Sequence, residues 1–412
     1  MMPYKGIGMK AFERFLNYAR IATASDESTG KTPSSDRQWV LANRLSDELK
    51  TMGLENACVS EDGYVYASLP ATAGHESDPA LGLIAHMDTS PDFSGENVNP
   101  VIHADYDGQD VPLGTSGRVL KVSDFPELSS LKGRTLITTD GTTLLGADDK
   151  AGIAEIMTAI EEIQSKKLPH GKLCFGFTPD EEIGKGADHF DLATFGADFA
   201  YTVDGGPEYE FNYETFNAAA AKIKVNGVSV HPGEAKNRMV NAGLVACEFN
   251  AMLPAGETPR NTADREGFFH LIEIKGDVNE AEFGYIIRDH DIHLFEGRKE
   301  ALRHIAALLN EKYGAGTVEL TITDTYLNMA EIIAKSAFLI DRADAAMRKA
   351  GVEPVHIPVR GGTDGSRLSY MGLPCPNFGT GGYAYHGPME HITVEAMDKV
   401  TEILLNLIRD WH

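Results

Sequence analysis

The chain has 412 residues, 42% hydrophobic and 24% charged, the composition of an ordinary globular protein with enough length for two hydrophobic cores. Asp and Glu outnumber Lys and Arg by 61 to 37, and a formal charge of −24 without any basic, aromatic-interleaved run excludes a surface built for nucleic acid. No stretch approaches about 18 apolar residues, so no membrane partner is expected.

Taken in chain order, the pattern predicts helices over 11–21 and 36–53, joined by the Ser/Thr/Gly-rich loop 22–35, and a strand in "DGYVYASL". The N-terminus "MMPYKGIGMKAFERF" has no apolar core of signal-peptide length. Cys58, Cys174, Cys247 and Cys375 form no C-x-x-C pair and read as buried free thiols of a cytoplasmic protein. Four apolar runs then end in polar clusters: "LGLIAHMDT", "TLLGADDKAGIAEIMTAIEEI", "LCFGFTPDEE" and "FAYTVDGG". In the second, the cluster precedes an amphipathic helix with Ile153, Ile156, Met157, Ile160 and Ile163 on one face. Apolar strands alternating with helices predict an α/β sheet covered on both faces, with ligands beyond the carboxyl ends of its strands.

From about 215 to 330 the pattern changes. Strand "AKIKVNGVSV", helix "NRMVNAGLVACEFNAML", strands "GFFHLIEIKGDV" and "FGYIIRDHD", helix "GRKEALRHIAALLNEKYG" and strand "TVELTITDTY" give the order β-α-β-β-α-β of a ferredoxin-like domain. The chain then returns to the first domain. The expected organisation is a catalytic domain over 1–214 and 331–412, with a mixed, mostly parallel sheet, interrupted by an inserted α+β domain over 215–330.

The polar residues at the strand ends are His86 and Asp88, Asp148 and Asp149, Asp180 to Glu182, and Asp204, with His386 in a Gly-rich loop near the C-terminus. Three adjacent carboxylates repel one another unless they face water or surround a positive charge. Histidine with carboxylates is a donor set that suits zinc, or cobalt or manganese in its place. No H-E-x-x-H helix is present, and ligand types on five separate segments make a two-metal site reasonable, with one carboxylate between the ions.

In combination, "HMDTSPD", "GADDKAG", "TPDEEIGKGA", "YTVDGG", "VHPG" and "GGYAYHG" resemble the M20 family of metallopeptidases, and most closely its tripeptide aminopeptidases. "ENVNP", "YIIRD" and "RGGTDGSRLSYMGLPCPN" extend the likeness across both domains. The resemblance implies a zinc-peptidase-like catalytic domain carrying two Zn2+, with a lid or dimerisation role for the insertion, so a homodimer is among its implications. His86 and Asp204 would hold one ion, Glu182 and His386 the other, and Asp148 would bridge them. Glu181 would be the general base that takes a proton from the metal-activated water, and Asp88 would orient His86. Asp180 is left a structural role. His231 would stabilise the oxyanion, against the alternative of an ordinary surface residue beside Pro232. Arg288 is a candidate for the peptide's terminal carboxylate, against an ion pair with Asp289 or Asp291.

The expected activity is therefore release of the N-terminal residue from tripeptides. Two rivals remain open at this point. One is another M20-like amidohydrolase, a dipeptidase, carboxypeptidase or N-acyl amino acid deacylase. The other is a metal-binding scaffold without turnover, against which the retained Glu181 argues.

Overall fold

In the computed structural model, which describes residues 8–411, the chain divides into two units. The first holds the residues up to Tyr213, Glu331–Ile357 and the chain from Thr363 onward; the second holds Glu214–Ala330 and Pro358–Gly362.

The first unit is built on an eight-stranded sheet. From edge to edge its strands are Glu55–Val59, Val65–Leu69, Leu173–Thr178, Leu81–His86, Phe199–Val203, Asn377–Phe378, Glu210–Asn212 and Val355–His356. The four central strands, from Leu173–Thr178 to Asn377–Phe378, run parallel, while Glu55–Val59 with Val65–Leu69 adds an antiparallel edge. Leu81–His86 and Leu173–Thr178 are buried throughout, as continuous apolar runs require when both faces of a sheet are covered. Helix Ala147–Lys166 packs on Leu81–His86 and Phe199–Val203, and helices Ala11–Ala19 and Val394–Arg409 pack on it in turn. Elsewhere on the sheet, Tyr64, Tyr66, Phe190, Phe195 and Leu368 form an aromatic-rich cluster.

One glycine sets how closely the long helix meets the sheet. A Cβ on Gly152 would lie 2.0 Å from the Val203 carbonyl oxygen, so only glycine lets the helix start press against the end of Phe199–Val203. That contact brings Asp148 and Asp149 beside Asp204. A second small sheet, with strand order Gly382–Tyr383, His391–Thr393, Leu136–Thr138, Val101–His103, sets the hairpin loop 384–390 against the chain entering the same helix.

The second unit follows β-α-β-β-α-β order. Strands Phe268–Gly276, Glu280–Asp289, Asn217–Asn226 and Val318–Tyr326 lie side by side and antiparallel, and helices Ala242–Ala251 and Ile292–Tyr313 complete a core around Ile223, Val225, Phe249, Phe283, Tyr285 and Leu302. Two helix starts differ from the pattern in the sequence. Asn241 accepts from the Leu244 N–H and starts the first helix at Ala242, five residues after the start of the expected span; Asp291 accepts from the His293 and Leu294 N–H groups and starts the second before Gly297. Pro358–Gly362 belongs to this unit because Val359 pairs with Thr215 and the Arg360 guanidinium donates to the Asp264 and Glu266 carbonyls at 2.8 and 2.9 Å.

Cys174 and Cys375 are buried, as expected, but Cys58 and Cys247 are exposed, the first on an edge strand and the second on a helix. Among the described residues, no helix is long and apolar enough to cross a membrane.

Candidate metal centre

His86 ends its strand with a side chain only 2% exposed. Its Nδ1 lies 3.0 Å from the Asp88 main-chain carbonyl, which fixes the N–H on that nitrogen and leaves Nε2 facing the cluster. Nε2 is 2.8 Å from Asp148 Oδ1 and 3.6 Å from Asp204 Oδ1. The other oxygen of Asp148, Oδ2, is 3.3 Å from His386 Nε2, and that same nitrogen is 2.9 Å from Glu182 Oε2. Two trios result, His86–Asp148–Asp204 and Asp148–Glu182–His386, each with its ligand-type atoms within 4.8 Å of one another. Asp148 belongs to both and gives one oxygen to each.

Around these trios lies a layer of buried carboxylates. Asp88 is fully buried; its Oδ1 accepts from the Glu181 N–H at 3.0 Å and its Oδ2 from the Glu182 N–H at 3.1 Å. Its carboxylate stands 3.5 Å from His86 Nδ1, so it ties the Glu181–Ile183 turn while its main chain orients the imidazole. Asp180 lies apart from both trios. It takes a left-handed conformation (φ 60°), and its carboxylate accepts from the Ser34 N–H at 2.7 Å and the Gln38 amide at 2.6 Å. The Asp149 carboxylate accepts from the His86 N–H at 3.0 Å, and Asp364 accepts from the Thr178 hydroxyl at 2.7 Å.

The electrostatics are those of too many carboxyls in too little water. Burial pushes the Glu181 and Asp204 carboxyls above their usual range, and Glu182 and Asp364 up to about 7. Hydrogen bonds to Asp148 and Glu182 push the His386 imidazole up to about 11. Burial opposes the charged form of His86, yet hydrogen bonds to Asp148, Asp204 and Asp88 hold it well above the ordinary value.

These residues fit divalent cations. The donors are imidazole nitrogens and carboxylate oxygens, converging from separate segments, and Glu182 Oε1 is a buried oxygen without a hydrogen-bond partner. A cation at either trio has to displace the protons its imidazole and carboxylates share, which makes affinity rise with pH. Beside the second trio, Asp92 Oδ2 is 3.5 Å from His386 Nδ1 and forms part of a cleft of about 1130 Å³ lined by residues 24–28, 35–37 and 91–96.

Residues 139–410 match the peptidase family M20/M25/M40. Peptidase T of Clostridium perfringens (strain 13 / Type A) is 53% identical over 401 residues, which cover 97% of this chain and 98% of that one. The chain belongs to family M20. Among solved structures, the aminopeptidase PepT from Bacillus cereus superposes with a TM-score of 0.77 at 22% identity over 98% of each chain. A dinuclear metal-binding M20 peptidase from Bacillus subtilis superposes with a TM-score of 0.64 at 14% identity over 97% of this chain and 96% of that one. At those identities the two superpositions establish the M20 fold.

Two substrate-binding candidates belong to the second unit. His231 precedes the short turn Pro232–Glu234, and its Nδ1 accepts from the Gly233 N–H at 3.2 Å. Arg288 sits on strand Glu280–Asp289, donates to the Ile287 and Ala219 carbonyls, and lies 5.4 Å from the Tyr326 ring centroid. Neither expected acidic neighbour pairs with it. Asp289 accepts from Arg298 at 2.8 Å, and Asp291 caps a helix.

Sequence reasoning passed over two groups in this M20 centre. Lys150 is buried, with Nζ donating to the Ile21 carbonyl at 2.7 Å and burial pushing it down to about 7. Glu390, 1% exposed, reaches the helix start that carries Asp148. Its only signal was position, four residues after His386 in the same hairpin loop.

Proposed function

We propose that this M20 peptidase is a two-metal aminopeptidase that removes the N-terminal residue from tripeptides. The observation that carries the reading is Asp148, whose two oxygens face separate imidazole–carboxylate clusters. His86 and Asp204 would hold one ion, Glu182 and His386 the other, with Asp148 shared; zinc suits this donor set, with cobalt or manganese as substitutes. When bound, the ions would polarise the scissile carbonyl and make water a nucleophile near neutral pH.

The chain's own groups do the rest. Glu181, beside Glu182 on a turn tied down by Asp88, takes the proton from the attacking water and returns it to the leaving amine. His231 is assigned to the carbonyl oxygen of the substrate and Arg288 to its terminal carboxylate, for which a guanidinium provides a two-pronged donor. The name Peptidase T carried by the relatives supports peptides as substrates.

The test is kcat/KM for alanine peptides of two, three and four residues and for the N-acetylated tripeptide, each with and without chelator. The tripeptide should lead by roughly 30-fold or more, the size of one lost charged contact in a desolvated pocket, and chelation should abolish turnover. Equal values across the panel would refute tripeptide selectivity, and preference for the acetylated peptide would mark a deacylase.

A further inference from the structure

We propose that Glu390 is a positioning residue for the metal centre: its carboxylate fixes the backbone that presents Asp148, and thereby sets the affinity of the centre for metal. The proposal rests on the two-metal reading above. Glu390 is buried, and its Oε2 accepts from the Leu145 N–H at 2.6 Å and the Gly146 N–H at 2.8 Å while its Oε1 accepts from the Asp148 N–H at 3.1 Å.

These N–H groups lie on the chain that leads into the regular helix: within Ala147–Lys166, Asp148 (ψ 105°) and Asp149 are not helical, and Asp149 supplies the local cap, its Oδ1 accepting from the Gly152 N–H at 3.3 Å. Main-chain donors on such an irregular, buried stretch must find acceptors outside any regular ladder. Glu390 provides them from more than 240 positions away. The bonds it accepts tie this stretch to the loop that carries His386.

That loop therefore holds Asp148 twice. His386 Nε2 stands 3.3 Å from the Asp148 side chain, and Glu390 Oε1 stands 3.1 Å from its main-chain nitrogen. Since Asp148 gives an oxygen to each trio, a displaced backbone at this residue moves a ligand of both. Only a carboxylate serves, because three N–H donors need acceptors on both side-chain oxygens, and the amino group of a glutamine would face at least one of them.

The experiment compares the full-length chain with Glu390→Gln. Zinc affinity is read by competition with a chromophoric chelator, zinc per chain by elemental analysis, and Tm with the protein stripped and zinc-loaded. Zinc affinity should fall about 10–100-fold, the usual effect of losing a group that orients a ligand, and the rise in Tm on adding zinc should shrink. Equal losses of Tm in stripped and loaded protein, with zinc affinity kept, would make Glu390 a stabilising residue only and overturn the proposal. Should the Gln variant fail to fold, Glu390→Asp, which withdraws the same two oxygens by one methylene, is read identically: weakened zinc binding supports the proposal and unchanged binding overturns it. A wild-type chain that takes up no zinc would instead refute the two-metal reading, and this proposal with it.

Discussion

His86 and Asp204 stand at the ends of neighbouring parallel strands, and the His86 side chain is 2% exposed, whereas Glu182 stands on a short turn and His386 on a hairpin loop with its side chain 42% exposed. The strand half draws its geometry from the sheet ladder and from burial on all sides. The loop half has no ladder. Its turn is held by Asp88 and its hairpin by the bonds from Glu390, so buried carboxylates do there what strand pairing does on the other side. His386 itself takes a left-handed conformation (φ 63°), which non-glycine residues adopt when their surroundings impose it. Two clusters with the same donor chemistry are thus supported by different physics, and they should differ in how firmly they hold an ion.

The largest expected effect separates chemistry from metal holding within the loop half. Glu181→Gln should keep the metal content of the wild type while kcat falls by about 10²–10⁴-fold, the usual contribution of a general base. Glu182→Gln should lose metal from the loop half instead. Elemental analysis beside kinetics decides, and metal loss in both variants would show that the division between these neighbours is wrong.

A smaller effect measures the asymmetry itself. Chelator should strip the wild type in two steps whose affinities differ by about tenfold or more, roughly 1.4 kcal/mol, with the loop half released first. His386→Ala should remove the weak step and weaken the strong one only slightly, because Glu390 still holds the Asp148 main chain; His86→Ala should remove the strong step. A single-step release, identical in wild type and His386→Ala, would mean that the two halves are not distinct in energy.

The same contrast marks what the sequence could convey. The strands and ligand types were legible because apolar runs ending in polar clusters place side chains at known positions, and His86, Asp148, Glu182, Asp204 and His386 do converge. The clamps were not legible. Nothing in "PMEH" says that Glu390 will accept three main-chain N–H groups more than 240 residues back, and nothing around Asp88, whose carboxylate stands 3.5 Å from His86 Nδ1, says that it also accepts from the Glu181 and Glu182 N–H groups. Such bonds depend on three-dimensional proximity and leave no spacing or period behind. Helix starts failed because the caps carry no periodic signal: Asn241 falls inside the expected helix and Asp291 at the end of the expected strand before it.

The smallest effect probes the second nitrogen of each histidine. His86 Nδ1 donates to the buried Asp88 carbonyl at 3.0 Å, a main-chain contact that no substitution of the Asp88 side chain removes. His386 Nδ1 faces the Asp92 carboxylate at 3.5 Å, and that side chain is 72% exposed. Exposed ion pairs contribute about 0–1 kcal/mol and are screened by salt, so Asp92→Asn should weaken metal binding in the loop half by no more than about fivefold. The loss should fade as ionic strength rises from about 0.02 to 0.5 M, over which the Debye length falls from about 20 Å to about 4 Å. The strand half should not respond at all. Chelator titrations of Asp92→Asn at low and high salt read both steps in one experiment. A loss well beyond fivefold that persisted in salt would place Asp92 among the groups that build the loop half, on a par with Asp88 and Glu390, and the distinction between a buried, ladder-supported cluster and a solvent-facing, clamp-supported one would have to be redrawn.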